Sequence, residues 1–159
     1  MDSTDRPWSR ENSGAAAWRG PSPQSVFRRG LDPVAALQPV TVLIADDEPV
    51  VRMVLEDMLL KLGYHVLCAV DGLQALEIFR QHQDVINVLV FDLSMPNMDG
   101  EELFSRVRQL SPETKTIMIT GYNEIVSLDH LRSQGLSGFI AKPFGVDEIK
   151  SEIGRVLSP

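Results

Sequence analysis

Asp46, Asp47, Asp92, Thr120 and Lys142 stand at or just past the ends of four apolar runs, Val40–Ala45, Ile86–Phe91, Lys115–Thr120 and Gly138–Ala141. Three acids, a hydroxyl and an amine in such places invite one kind of chemistry. Carboxylates brought close together repel and raise one another's pKa. A hard divalent cation, Mg2+ or Mn2+, removes that penalty, because oxygen ligands suit it. The same cation would neutralise a phosphoryl group arriving at one of the carboxylates. Asp92 follows the most apolar run and is the candidate nucleophile for an acyl phosphate. Lys142 could pair with phosphoryl oxygens as a point charge, and Thr120 could donate its hydroxyl to another.

Taken singly, each residue has a plain structural reading. An Asp at a strand end is often a helix cap, and a lone Lys is usually a solvated surface charge. Taken jointly they are more specific, because caps have no reason to align with a threonine and a lysine at matching strand ends. That alignment depends on the elements between them. From residue 40 onward strand and helix signals alternate. After the first run, Pro49 offers a helix start, and Val50, Val51, Val54, Leu55, Met58, Leu59 and Leu62 recur at helical spacing, with Gly63 closing the helix. Tyr64–Val70 reads as a second strand, and Asp71-Gly72 leads into a helix carrying Leu73, Leu76, Ile78 and Phe79. The third run, almost wholly apolar, fits a strand covered on both faces.

A turn-rich loop, Met95-Pro96-Asn97-Met98-Asp99-Gly100, precedes a helix with Leu103, Phe104, Val107 and Leu110. A weaker helix over about Glu124–Ser133 and a closing helix over Val146–Leu157 complete five βα units. The fold class is therefore α/β, doubly wound with a parallel sheet. Asp47 and Asp92 are 45 positions apart, Asp92 and Thr120 are 28 apart, and Thr120 and Lys142 are 22 apart. These intervals are two, one and one βα units. A flavodoxin-like (βα)5 strand order of 2-1-3-4-5 makes the bearing strands consecutive, with the acids flanking the switch point between strands one and three.

Bulk composition narrows the classes. The 159 residues, 43% hydrophobic, suffice for one domain and a tail. Residues 1–39 hold five arginines against four acids, five prolines and three glycines, and read as a flexible Pro/Arg/Ser-rich arm. Residues 40–159 hold ten Lys/Arg against eighteen acids, a poor basis for direct nucleic-acid binding. Cys68 is the only cysteine, which excludes an internal disulfide and fits a reducing compartment. No apolar run approaches the ~20 residues of a membrane span, and the N-terminus is not a secretory signal. A cytoplasmic location is expected. His65, His82 and His130 share no metal-ligand spacing, and no Gly-rich nucleotide fingerprint is present. Cys68 and Met53 read as core or packing residues.

The segments Val42-Leu43-Ile44-Ala45-Asp46-Asp47-Glu48, Asp92-Leu93-Ser94-Met95-Pro96-Asn97-Met98-Asp99-Gly100, Met118-Ile119-Thr120-Gly121 and Phe139-Ile140-Ala141-Lys142-Pro143-Phe144 together resemble the receiver domain of two-component response regulators. The resemblance covers about residues 40–157. It implies that Asp92 accepts a phosphoryl group from the phosphohistidine of a sensor histidine kinase or histidine phosphotransfer protein. It further implies Mg2+ (or Mn2+) held by Asp47, Asp92 and the Ser94 backbone carbonyl, with Asp46 acting through water. Lys142 would contact the phosphoryl group, and its bond to Pro143 would be cis. Thr120 and Phe139 would be the switch residues, and Ser94 and Tyr122 would modulate access of the hydrolytic water. The face made by the fourth helix, fifth strand and fifth helix would bind a downstream protein.

The chain would then be no enzyme beyond its own phosphotransfer and dephosphorylation, and a monomer or a phosphorylation-dependent dimer. Because the domain runs to within a few residues of Pro159, a single-domain regulator is expected, with a receiver module of a hybrid histidine kinase as the alternative. An aspartate-based phosphatase resembling the haloacid dehalogenases is a lesser alternative. It places a second Asp two residues after the nucleophile, where this chain has Ser94. A degenerate binding module would lack one of the acids or Lys142.

Overall fold

The computed structural model describes residues 39–121 and 128–159, so nearly all of the N-terminal arm and Tyr122 lie outside the described residues. Among the described residues ten elements alternate: β1 (Thr41–Ala45), α1 (Pro49–Lys61), β2 (His65–Ala69), α2 (Gly72–His82), β3 (Ile86–Asp92), α3 (Gly100–Leu110), β4 (Lys115–Thr120), α4 (Leu128–Ser133), β5 (Gly138–Ala141) and α5 (Val146–Leu157). The strands pair in parallel in the order β2-β1-β3-β4-β5. Strand order reverses between β1 and β3, which places a crevice at their carboxyl ends.

The sheet separates two apolar layers. On one side α1 and α5 bury Leu55, Leu59, Ile149, Ile153 and Val156 against Val42, Ile44, Val88, Val90, Ile117 and Ile119. On the other, α2, α3 and α4 cover Leu43, Leu67, Leu89, Phe91 and Met118 with residues that include Phe79, Leu103, Phe104 and Leu131. Successive side chains of a strand point to opposite faces, and both faces of β1 and β3 are covered. That is why these strands carry unbroken apolar runs.

Local chemistry sets the element ends. Pro49 occupies the first turn of α1, where its missing N–H costs no hydrogen bond. Gly63, at φ +88°, takes the left-handed turn that follows α1. Asp71 caps α2 by accepting the Gln74 N–H at 2.8 Å. Asp99 caps α3 in the same way through Glu102 N–H. Among the described residues no helix is long and apolar enough to cross a membrane.

Several apolar residues placed on buried faces by spacing are exposed instead. Val50 and Val54 of α1, Leu73 of α2 and Leu110 of α3 face outward, and so does Met53, against the expectation that it packs. A helix lying on a sheet buries one stripe, and in α1 that stripe is centred on Leu55 and Leu59. Apolar residues beyond its edges stay in solvent. Cys68 is half-buried rather than core.

Asp71 has a second role. Its other carboxylate oxygen, Oδ2, accepts from Asn97 Nδ2 at 2.8 Å, and Asn97 holds a positive φ of 67°. One side chain thus caps a helix and ties down the loop after β3. Asp71→Ala is expected to cost about 1–2 kcal/mol and to loosen residues 95–98. Urea unfolding and hydrogen exchange at Met98 report both effects, and unchanged exchange there would refute the tie.

Candidate functional site

Sheet register carries the candidate residues to one edge. Ala45 pairs with Phe91, so Asp46 and Asp92 follow at the same level on adjacent strands. Asp92 pairs with Ile119, and Thr120 pairs with Ala141. Lys142 then follows Ala141, and its backbone N–H donates to Thr120 O at 2.9 Å. The Lys142–Pro143 bond is cis. Phe91 stacks on Phe104 of α3 with ring centroids 6.1 Å apart, which seats the end of β3 against the helix that follows it.

The acids and the amine meet. Asp46, Asp47 and Asp92 bring one carboxylate oxygen each within 4.8 Å of one another. Asp46 and Asp92 are buried while Asp47 is exposed. Lys142 Nζ lies 3.2 Å from Asp46 Oδ2 and 3.3 Å from Asp92 Oδ2. Backbone amides orient both buried carboxylates. Asp46 Oδ1 accepts Glu48 N–H, and Asp92 Oδ1 accepts Leu93 N–H, each at 2.8 Å. Arg52 of α1 donates to the Asp46 carbonyl oxygen at 2.6 Å and fixes the backbone there.

Electrostatics follow from this packing. Burial raises the Asp92 carboxyl to about 6, with Lys142 drawing it down and Asp46 pushing it further up. Burial likewise raises Asp46, against the Glu48 amide and Lys142. Burial lowers the Lys142 ammonium, but Glu48, Asp46 and Asp92 outweigh it and hold the group above its ordinary value. One cation thus serves several carboxylates, and two of them remain held up toward their neutral forms.

The donor set fits a hard divalent cation. Asp46 Oδ2 is buried and has no hydrogen-bond partner, so its contact with Lys142 is a charge contact without directed bonding. An ionised oxygen left in that state is costly, and a cation among three oxygen donors relieves it. A cleft of about 650 Å³ opens beside the cluster, lined by Asp47, Leu93, Ser94, Met95, Pro96, Asp99 and Glu101. Ser94 is exposed on this loop.

Of the remaining candidates, Thr120 is fully buried at the end of β4. Phe139 is half-buried on β5 and packs against the layer of α2, α3 and α4. Its backbone N–H donates to Glu152 Oε1 of α5 at 2.9 Å. One contributor does not stand out in the sequence: Glu48, whose Oε1 lies 3.0 Å from Lys142 Nζ. A signal is nonetheless present, since a glutamate ahead of Pro49 stands where helix caps favour shorter side chains.

The family model described as "Response regulator receiver domain" matches residues 42–154. Sporulation initiation phosphotransferase F of Bacillus subtilis is 31% identical over 116 residues, spanning 73% of this chain and 92% of that protein. The sensor kinase CckA of Brucella abortus is 34% identical over 117 residues, which are 74% of this chain but 12% of the kinase. The solved chemotaxis protein CheY4 of Vibrio cholerae superposes with a TM-score of 0.70 at 29% identity, covering 75% of this chain and 99% of that one.

Proposed function

Since this chain belongs to the response regulator receiver domain family, we propose that it is a phosphorylation-operated switch of two-component signalling with Asp92 as phosphoacceptor. The observation that carries this reading is Lys142 Nζ 3.3 Å from Asp92 Oδ2, within a pocket whose other acids suit a cation. A receiver needs those groups together and a simple acidic surface does not.

In the transfer step an Asp92 carboxylate oxygen attacks phosphorus. The P–N bond to the donor imidazole breaks, a P–O bond forms, and the imidazole leaves as the neutral ring after taking a proton. The residues to hold Mg2+ or Mn2+ are Asp47, Asp92 and the Ser94 carbonyl, with Asp46 in support. The cation supplies charge neutralisation for the phosphoryl oxygens when bound. Lys142 faces the reacting carboxylate and offers its ammonium to a phosphoryl oxygen. Leu93 N–H keeps Asp92 Oδ1 engaged, which leaves Oδ2, now paired with Lys142, as the oxygen to turn to the donor.

The donor is a sensor histidine kinase or a histidine phosphotransfer protein. The output is a changed protein-binding surface over α4, β5 and α5, to which Thr120 and Phe139 connect the site, with a monomer or a phosphorylation-dependent dimer as the assembly. The match to a stretch of a sensor kinase supports a second reading, a receiver joined to a hybrid kinase, with the same chemistry at Asp92.

Incubation with acetyl phosphate and Mg2+ is expected to give an adduct of one phosphoryl group that hydroxylamine removes. Intact-mass measurement reads it, and EDTA is expected to prevent it. Absence of the adduct overturns the proposal, and continuous release of phosphate from unrelated phosphate esters would favour a phosphatase.

A further inference from the structure

The Lys142 ammonium is surrounded by more acceptors than the transfer chemistry uses. Three carboxylate oxygens lie around its Nζ, from Glu48 at 3.0 Å, Asp46 at 3.2 Å and Asp92 at 3.3 Å. Asp46 and Asp92 belong to the cation-binding cluster, and Glu48 does not. Glu48 is also the residue that should cap α1, yet its side chain makes no cap hydrogen bond. It reaches across 94 positions of sequence to Lys142 instead. A glutamate is one methylene longer than the aspartate that caps well, and that extra reach is what this contact needs.

The three acceptors are not equally held. Asp46 and Asp92 are nearly enclosed, with side chains 2% and 8% exposed, and a backbone amide pins each. The Glu48 side chain is 61% exposed, and water can replace its partner at little cost. A phosphoryl oxygen arriving on Asp92 must take a place on this ammonium, and Glu48 holds the place easiest to vacate.

We propose that Glu48 is a tether on Lys142, a positioning residue that competes with the incoming phosphoryl group for the ammonium and thereby slows loading of Asp92. The inference rests on the phosphoacceptor reading above. It differs from a general charge effect at the pocket mouth because it depends on contact. Glu48→Asp keeps the charge but shortens the side chain out of reach of Lys142. Glu101→Gln removes an equal charge from the neighbouring cleft.

The test measures the rate of acyl-phosphate formation at saturating Mg2+ over a series of acetyl phosphate concentrations, for the full chain and these variants. In that reaction acetate leaves as its P–O bond breaks and the Asp92–P bond forms. The tether predicts that Glu48→Gln and Glu48→Asp both load about two- to fivefold faster, the range an exposed ion pair supports. Glu101→Gln is expected to stay at the wild-type rate, and the gain should shrink at high salt. Thermal melts are expected to match the wild type, since Glu48 is a surface residue. Wild-type loading by Glu48→Gln overturns the tether. So does wild-type loading by Glu48→Asp beside equal acceleration in Glu48→Gln and Glu101→Gln, which would mark bulk charge as the cause. An adduct on none of the proteins, wild type included, overturns the phosphoacceptor reading and the tether with it.

Discussion

Asp92→Asn is expected to abolish the acyl-phosphate adduct and, without divalent cation, to make the domain more stable. The two effects have one origin. Asp92 is a nearly enclosed carboxylate beside a second buried acid, and Lys142 must serve both while also contacting Glu48. Burial raises the group to about 6, so the ionised form present at neutral pH carries a stability cost in the fold. The asparagine keeps the shape and a carbonyl oxygen for Leu93 N–H, removes the charge and removes the nucleophile.

The sign of the stability effect follows from linkage between protonation and folding. A carboxyl whose folded pKa lies above its ordinary 3.8 costs stability while it is ionised in the fold, above about pH 6. The cost fades as pH falls from 6 toward 3.8 and is gone below that. A rise from 3.8 to about 6 corresponds to at most about 3 kcal/mol. Asp92→Asn should therefore melt several degrees above the wild type at pH 7.5 in EDTA, with the gap closing toward pH 4. Saturating Mg2+ should narrow the gap as well, because the cation binds only the wild-type cluster well and stabilises it by mass action. A variant that melts below the wild type at pH 7.5 in EDTA would show that the carboxylate is stabilised in the fold after all.

Gly100→Ala is expected to be among the most damaging single-methyl additions in the described chain. A Cβ built at Gly100 stands 2.3 Å from the Asp92 carbonyl oxygen, 2.8 Å from Leu93 Cα and 2.9 Å from Phe91 Cδ2. Two of the three are backbone atoms, which cannot turn aside as a flexible side chain would. Either α3 moves off the sheet or the end of β3 shifts, and Gly100 N–H loses its 2.8 Å bond to Leu93 O. Overpacking of this kind typically costs about 1–3 kcal/mol, and a lost buried hydrogen bond adds to it, so about 3 kcal/mol is expected.

Asp92 sits at the displaced point, so Mg2+ affinity and adduct formation should each drop by about tenfold or more in the Gly100→Ala variant, since small misplacements at a reacting group are costly. Gly154→Ala is the control. That residue lies exposed in α5 with nothing within 4 Å of a new Cβ, and the change should stabilise by about 0.5–1 kcal/mol. Urea unfolding and Mg2+ titration of the two variants decide the matter. Wild-type values for both in Gly100→Ala would mean that the close approach relaxes without cost.

Much of the architecture was legible in the chain because its cues are local. The apolar runs of β1 and β3, Pro49 at a helix start and Gly63 at a helix end act through neighbours a few residues away. The boundaries of β4, β5 and α5 agree with those read from periodicity. Helix faces were less legible. Val50 and Val54 repeat at helical spacing yet lie in solvent, since periodicity defines an apolar stripe but not its width after docking.

By itself the sequence determined that acids, a threonine and a lysine end successive strands, because strand runs and the residues after them are written contiguously. It also determined the family, through motifs that are contiguous for the same reason. Tertiary structure alone decided how these groups meet: that register sets Asp46 level with Asp92, that a cap residue turns instead to Lys142, and that Gly100 lies against the carbonyl of Asp92. The first two join segments far apart in the chain, and the third folds the loop after β3 back on its own strand. Their ångström-scale distances depend on how two packed layers settle on one sheet, and no local pattern encodes that.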